Sequence, residues 1–335
     1  MENTAQAGNG NETRKNKTRG LFKVSPYMVI PSRVGGFSLY LKQDDNLVLY
    51  AEKGELFTPA HKERLGTLDV DYLYVKAEDY SGYATYVQDN ILELLDDETI
   101  PVRDRARAWN DATVSLARES FDKSLPKSMD KRRFRKIQAL ITNSLKFLAR
   151  EDALKELGRF IADGGELFHH GIGTMVLTVS VLSTFVNEDS DLLVAVGVGA
   201  MLHDIGKLEL PEELFTRRWD GLSHSEQEMV KSHPALGVGI CSSLPLPQET
   251  LQCILFHHER EDGGGYPSGA IGELLPTYIK VLALCNQYDN LTRGSGGRKR
   301  LTPFEALTRI KSMRNAHDPD MLKRLITILS SAELT

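Results

Sequence analysis

The hydrophobic period changes once along this chain, and that change sets what the chain can fold into. From Leu21 to about Ala77 the apolar residues come in short β-branched or aromatic runs, FKVSPYMVI, FSLYLK, NLVLYA and DYLYVKA, separated by Gly, Asp and Asn. Such runs, bounded by turn residues, predict strands. One interruption, TPAHKERLGTL, reads as a short helix. From about Tyr80 the spacing becomes helical, as at Val87, Ile91, Leu94 and Leu95 and again at Ile137, Leu140, Ile141, Leu145 and Leu148. From Glu166 to the end no strand alternation returns. The expected architecture is therefore a small β-rich α/β domain over residues 21–79, linking helices over 80–157 and an all-α domain over 158–335. Residues 1–20, mostly Asn, Thr, Gly and Lys, have almost nothing to bury and are expected to form a disordered tail.

Composition narrows the function classes. A net charge of -5 over 335 residues argues against a large basic face and a nucleic-acid polymer as partner. The one basic cluster, KRRFRK, reads as a solvated helix face, because no aromatic stacking platform accompanies it. The longest apolar stretch, Ile172 to Val186, is shorter than a membrane span and broken by Thr and Ser, so no membrane insertion is expected. The amino terminus lacks the apolar segment of a signal peptide. Cys241, Cys253 and Cys285 are widely spaced and odd in number, which argues against a disulfide framework or a thiolate zinc site. A cytoplasmic location is the expectation.

Nine histidines are distributed very unevenly, and seven of them fall between His169 and His258. In AMLHDIGKLELP, His203 stands beside Asp204, with Lys207 one turn beyond. An imidazole next to a hard carboxylate oxygen can bind or bridge divalent metals. His233 follows in KSHPALG, where the proline after it predicts a helix start, and HHEREDGGGYP places His257 and His258 before a glycine-rich turn. Upstream, Glu166 and His170 are four apart, which on a helix puts both on one face.

In order and spacing, HDIGK at His203 to Lys207, HP at His233-Pro234 and HHEREDGGGYP at His257 to Pro267 resemble the signature of the HD-GYP family. This family is the cyclic di-GMP phosphodiesterase branch of the HD phosphohydrolase superfamily. The resemblance spans roughly Glu166 to Thr327, about half of the chain. It implies that the all-α domain is of the HD type and that His203, Asp204, His233, His257 and His258 ligate metal. Glu166 and His170 match the upstream pair used by members with a third ion. It further implies that Asp204 and Lys207 serve catalysis, with Lys207 on a phosphate oxygen and Gly265-Tyr266-Pro267 walling the substrate. His169 and His224 match no ligand position. The cofactors implied are two or three divalent ions, iron or manganese first. The implied partner is a cyclic dinucleotide, and a homodimer is compatible with the pattern.

Two departures qualify what the resemblance implies. The family's ligand Asp falls on Asn286 in LCNQYDNLT, with Asp289 matching a second Asp. A neutral amide oxygen is a poorer metal ligand than a carboxylate. The family's Arg-any-Tyr-Lys element falls on Ser295, Gly296, Gly297 and Arg298, which keeps only the Arg298 charge for substrate. Arg293, Lys299 and Arg300 stand nearby as replacements. The expected activity is metal-dependent hydrolysis of cyclic di-GMP, or a related cyclic dinucleotide, to linear pGpG, GMP or both. The alternative is a catalytically attenuated cyclic di-GMP receptor or protein-interaction module. The amino-terminal domain shows no ligand motif, and a sensing or dimerising role there rests on analogy alone.

Overall fold

The computed structural model describes residues 20–43, 46–68, 70–122, 130–161, 164, 166–186, 191–294, 297–313 and 315–334. Ser295, Gly296 and residues 1–19 of the expected tail lie outside this set. The chain divides into two compact units between Asn90 and Ile91.

The first unit carries one antiparallel sheet, with strands β1 (Leu21–Val24), β2 (Leu39–Gln43), β3 (Asn46–Ala51) and β4 (Leu73–Lys76) in the order β1-β4-β2-β3. The segment TPAHKERLGTL supplies helix α1 (Pro59–Thr67), and its start is fixed by a reciprocal cap. Thr58 Oγ1 accepts from the His61 N–H, and the His61 ring accepts from the Thr58 N–H. Val24, Leu39, Leu73 and Val75 form the buried side of the sheet. Helix α2 (Tyr80–Asp89), expected among the linking helices, belongs to this first unit. Tyr83 and Tyr86 meet the Phe37 ring edge-on, and the Tyr86 hydroxyl accepts from the Ile30 N–H.

The described regular elements of the second unit are all helices, with one isolated antiparallel bridge between Asp262 and Ile271. The unit runs through α3 (Ile91–Asp96), α4 (Val102–Ser120), α5 (Lys131–Leu148) and α6 (Glu151–Ile161) to a pair of apolar helices, α7 (Leu167–Leu182) and α8 (Asp191–Leu202). Around these lie α9 (Glu213–Thr216), α10 (His224–Lys231), α11 (His233–Cys241), α12 (Gln248–Phe256), α13 (Thr277–Arg293), α14 (Pro303–Ser312) and α15 (Pro319–Ser331). Helix α5 buries Phe134, Ile137, Leu140, Ile141 and Leu145 and turns Lys131, Arg132 and Arg135 to solvent, as expected of a one-sided helix. Its Ser144 accepts from the buried Trp109 indole of α4 at 2.8 Å. Helices α7 and α8 are buried on nearly all sides and form the centre of the unit. No described helix is long and apolar enough to cross a membrane.

Candidate metal centre

The site is assembled at helix ends. His170 sits in the first turn of α7, and His203 and Asp204 lie just past the end of α8. His233 opens α11, and His257 and His258 follow α12. A glycine makes the central approach possible. The turn after Asp204 packs so tightly on α11 that a Cβ on Gly206 would lie 1.9 Å from the His233 carbonyl oxygen. Any larger residue would push Asp204 away from His233.

Three rings are fixed in the same way. The Nδ1–H groups of His203, His233 and His257 donate to the carbonyls of Ala200, Val230 and Ile254, each three residues back, at 2.7, 2.6 and 2.9 Å. His170 donates instead to the Asp289 carboxylate at 2.6 Å, and Asp289 is held in turn by Arg293 Nε at 2.5 Å. With Nδ1 protonated, each Nε2 is a lone pair. These lone pairs converge on Asp204. Its Oδ1 lies 3.2 Å from His233 Nε2 and 3.6 Å from His257 Nε2, and its Oδ2 lies 3.4 Å from His203 Nε2 and 3.7 Å from His170 Nε2. The Nε2 atoms also face one another, His233 to His257 at 3.0 Å and His170 to His203 at 3.2 Å.

Burial favours the neutral ring at His170, His233, His257 and His258. It pushes His170, His233 and His258 below the ordinary histidine range and His257 down to about 3. Burial acts on Asp204 in the opposite sense, but the Lys207 ammonium at 2.5 Å outweighs it, so the carboxyl lies well below the usual carboxylate range. A buried carboxylate ringed by lone pairs, with no hydrogen-bond partner on Oδ1, is electrostatically complete only with cations between the acceptors. The donors fall into two groups that share Asp204, one of His170, His203 and Asp204 and the other of Asp204, His233, His257 and His258. Both groups can hold a metal, and the nitrogen and oxygen donors fit a divalent ion.

Asn286, on α13, turns its Oδ1 toward His170 Nε2 at 2.9 Å. The amide is oriented by Asn290, which donates to that oxygen at 2.7 Å, and by its own Nδ2, which donates to the His257 carbonyl at 3.4 Å. Glu166 joins neither donor group, although it lines a cavity of about 700 Å³ together with His170, Asp204 and Lys207. It caps α7 from outside the helix, so its four-residue spacing to His170 does not put the two side chains on one face. Its carboxylate lies 2.8 Å from His169 Nδ1. Arg293 is likewise unsuited to the phosphate contact expected of it. It donates to Asp289 and to the Ile161, Gly164 and His169 carbonyls.

Tyr266 stacks on the His258 ring at 4.6 Å, and the Tyr266-Pro267 peptide is cis. Gly265 lies so close to the preceding chain that a Cβ there would be 2.5 Å from the His258 carbonyl oxygen. Beside His233, His258 and Tyr266 opens a cleft of about 630 Å³. Its described lining contains Lys207, Arg217, Arg218, Arg298, Lys299 and Arg309 and no carboxylate. Sequence reasoning passed over Arg217, Arg218 and Arg309, since an adjacent arginine pair and a distant helical arginine form no motif with the histidines. Asp289 was visible only as a motif match, without the ring it holds.

The HD domain family matches residues 128–321 of the chain. A cyclic di-GMP phosphodiesterase of Pseudomonas aeruginosa is 26% identical over 184 residues, 55% of this chain and 44% of the relative. The cyclic di-GMP phosphodiesterase response regulator RpfG of Xanthomonas campestris is 30% identical over 132 residues, 38% of this chain and 35% of the relative. The chain thus spans less than half the length of either. Among solved structures, an HDG"Y"P protein from Bdellovibrio bacteriovorus has the same fold, with a TM-score of 0.63 at 20% identity over 92% of this chain and 99% of that one. With more than half of its length matched, the chain belongs to the HD domain family, the superfamily to which its His203-Asp204 and His257-His258 motifs pointed.

Proposed function

We propose that this chain is a metal-dependent phosphodiesterase acting on cyclic di-GMP or a related cyclic dinucleotide, releasing linear pGpG, GMP or both. The observation that carries this reading is the pairing of the Asp204 cluster with a cleft lined by six cations and no acid. Three of the six, Lys207, Arg217 and Arg218, are paired with Asp204, Glu226 and Asp220. Arg298, Lys299 and Arg309 add more positive charge to the cleft than one phosphodiester calls for, as a ligand with two phosphates would need. The relatives named as cyclic di-GMP phosphodiesterases support the same substrate.

In this reading His170, His203 and Asp204 hold one ion, with Asn286 Oδ1 beside it, and Asp204, His233, His257 and His258 hold the other. Iron or manganese suits donors without thiolate. Ions bound there lower the pKa of water and neutralise charge on the phosphoryl oxygens. Lys207 holds Asp204 in place and sets a fixed positive charge at the cleft, where negative charge grows during hydrolysis. The Gly265-Tyr266-Pro267 turn sets Tyr266 against His258 in the cleft wall, while Arg298 in the same lining offers a phosphate contact.

Asn286 favours a second reading, a receptor that binds the nucleotide with little turnover, because an amide replaces a charged ligand. The deciding experiment is turnover of cyclic di-GMP by the full chain with added manganese or ferrous iron, with His203→Ala and Asp204→Ala as controls. Linear product that disappears in both variants supports the enzyme. Fully metal-loaded protein that binds the dinucleotide tightly and forms no linear product supports the receptor.

A further inference from the structure

We propose that the Trp219 indole is a stacking surface for a purine base of the nucleotide, which makes it a specificity-determining residue of the cleft. This inference rests on the nucleotide reading above. The chain has two tryptophans, and they are placed in opposite ways. Trp109 is 1% exposed and its indole N–H is bonded to Ser144, whereas Trp219 is 38% exposed on the cleft wall. An exposed tryptophan forgoes the large gain from burying its ring and is more usual where a ligand covers it.

The turn carrying Trp219 is built rather than loose. Arg217 donates to the Gly221 carbonyl and to Glu226, both at 2.6 Å, and Arg218 makes a two-bond pair with Asp220. Gln227 Nε2 donates to the Trp219 and Leu222 carbonyls at 3.1 and 3.2 Å. Leu222 is buried with Leu214 and Val230 in a small apolar cluster beneath the turn. The backbone is thus fixed on both sides of a ring left in the open.

Its position is where a base would lie. Trp219 borders the 630 Å³ cleft and an adjoining hollow of about 260 Å³, and both are also bordered by His258, Tyr266 and Gln287. A phosphate drawn to Lys207 and His258 therefore has an aromatic wall within the same cleft. Arg217 and Arg218, next to Trp219 in the chain, line that wall beside it. Cations alternating with an open π-face are the elements by which proteins hold a phosphate and its base together.

The test uses full-length, manganese-loaded protein and ligands that differ in the base. Cyclic di-GMP and GMP should quench tryptophan fluorescence of the wild type, and ribose 5-phosphate should not. Trp109 is too buried to respond, so the quench should vanish in Trp219→Phe. By calorimetry, Trp219→Ala should bind cyclic di-GMP and GMP about 10-fold more weakly or worse, while its affinity for ribose 5-phosphate is unchanged and Trp219→Phe recovers most of the loss. Equal nucleotide affinity in wild type and Trp219→Ala overturns the inference and leaves the nucleotide reading standing. So does an equal loss for ribose 5-phosphate, which would mark a merely structural turn. A metal-loaded wild type that binds neither nucleotide overturns both.

Discussion

His233 and His257 present their Nε2 atoms to one another across 3.0 Å, although each ring has committed its proton to a backbone carbonyl on the other side. Two lone pairs at that distance repel, and the neighbouring Asp204 oxygen adds negative charge. A divalent ion removes all three conflicts at once, so metal should bind the folded chain far better than the unfolded one. Manganese at 100 times its dissociation constant should stabilise the protein by about 2.7 kcal/mol, read as a rise in Tm that a chelator reverses. His257→Ala should lose most of that rise. An unchanged Tm across a manganese titration would count against a metal centre here.

Asp289 should matter nearly as much as a ligand although it contacts none of the other acceptors. It fixes the His170 ring through Nδ1 and is itself clamped by Arg293. Asp289→Asn removes the charge that orients and enriches the ring, and should cost about 10–100-fold in metal affinity or activity. Metal content after dialysis measures it. Full retention would mean that His170 needs no such support.

The sequence disclosed the parts of the centre carried by short motifs, because His203-Asp204 and His257-His258 are adjacent in the chain and their chemistry is local. It also disclosed the main change of fold, since a period of 3.6 marks α5 plainly at Ile137, Leu140, Ile141, Leu145 and Leu148. What it hid depends on where the helices begin and meet. Helix α7 starts at Leu167, so Glu166 falls outside the helical register that its spacing to His170 assumes. Arg293 looked available from its basic neighbours, yet α13 turns it back onto Asp289 and three carbonyls. The six cations of the cleft come from separate turns and helices, and only the folded chain gathers them.

Glu166 provides a direct check on that correction. Its carboxylate is engaged by His169 and more than half of the side chain is exposed. Glu166→Gln should therefore leave bound metal per chain unchanged, whereas Asp204→Asn, which alters the carboxylate shared by both groups, should lower it sharply. Elemental analysis of the purified variants distinguishes the two. Loss of one ion in Glu166→Gln would restore Glu166 as a ligand.

Away from the centre, Asp111 on α4 gives a prediction about stability and pH. The side chain is partly buried, and burial pushes its carboxyl up to about 6 against the pull of Arg107 and Asn110. A carboxyl whose pKa is raised by folding keeps its proton in the folded state while the unfolded chain releases it. Its stability contribution is therefore complete below about pH 4 and is lost as pH rises through 6. Discounting the shift for residual solvent contact, Asp111→Asn should stabilise the protein at pH 7.5 by about 1–2 kcal/mol and have almost no effect at pH 4. Urea unfolding at the two pH values tests the sign, and destabilisation at pH 7.5 would show that the ionised form is favoured by folding.

For the proposed hydrolysis, Asn286 is the residue whose replacement bears most directly on turnover. Its oxygen already points toward His170 Nε2, and Asn290 and the His257 carbonyl hold the amide in that orientation. Asn286→Asp keeps the shape and adds a negative charge next to the group formed by His170, His203 and Asp204. A carboxylate is the stronger ligand for a hard divalent ion, so metal content should rise toward two ions per chain. Hydrolysis of cyclic di-GMP should rise with it, by at least about 10-fold, equivalent to about 1.4 kcal/mol of barrier. The substitution also turns the Nδ2 donor facing the His257 carbonyl into an acceptor, and apo-protein stability should fall slightly until metal is added. If Asn286→Asp gains metal without gaining activity, the limit on turnover lies at the substrate rather than at the ions, and the region of Gly297 and Arg298 becomes the place to look. If it gains neither, the amide is not the attenuating feature.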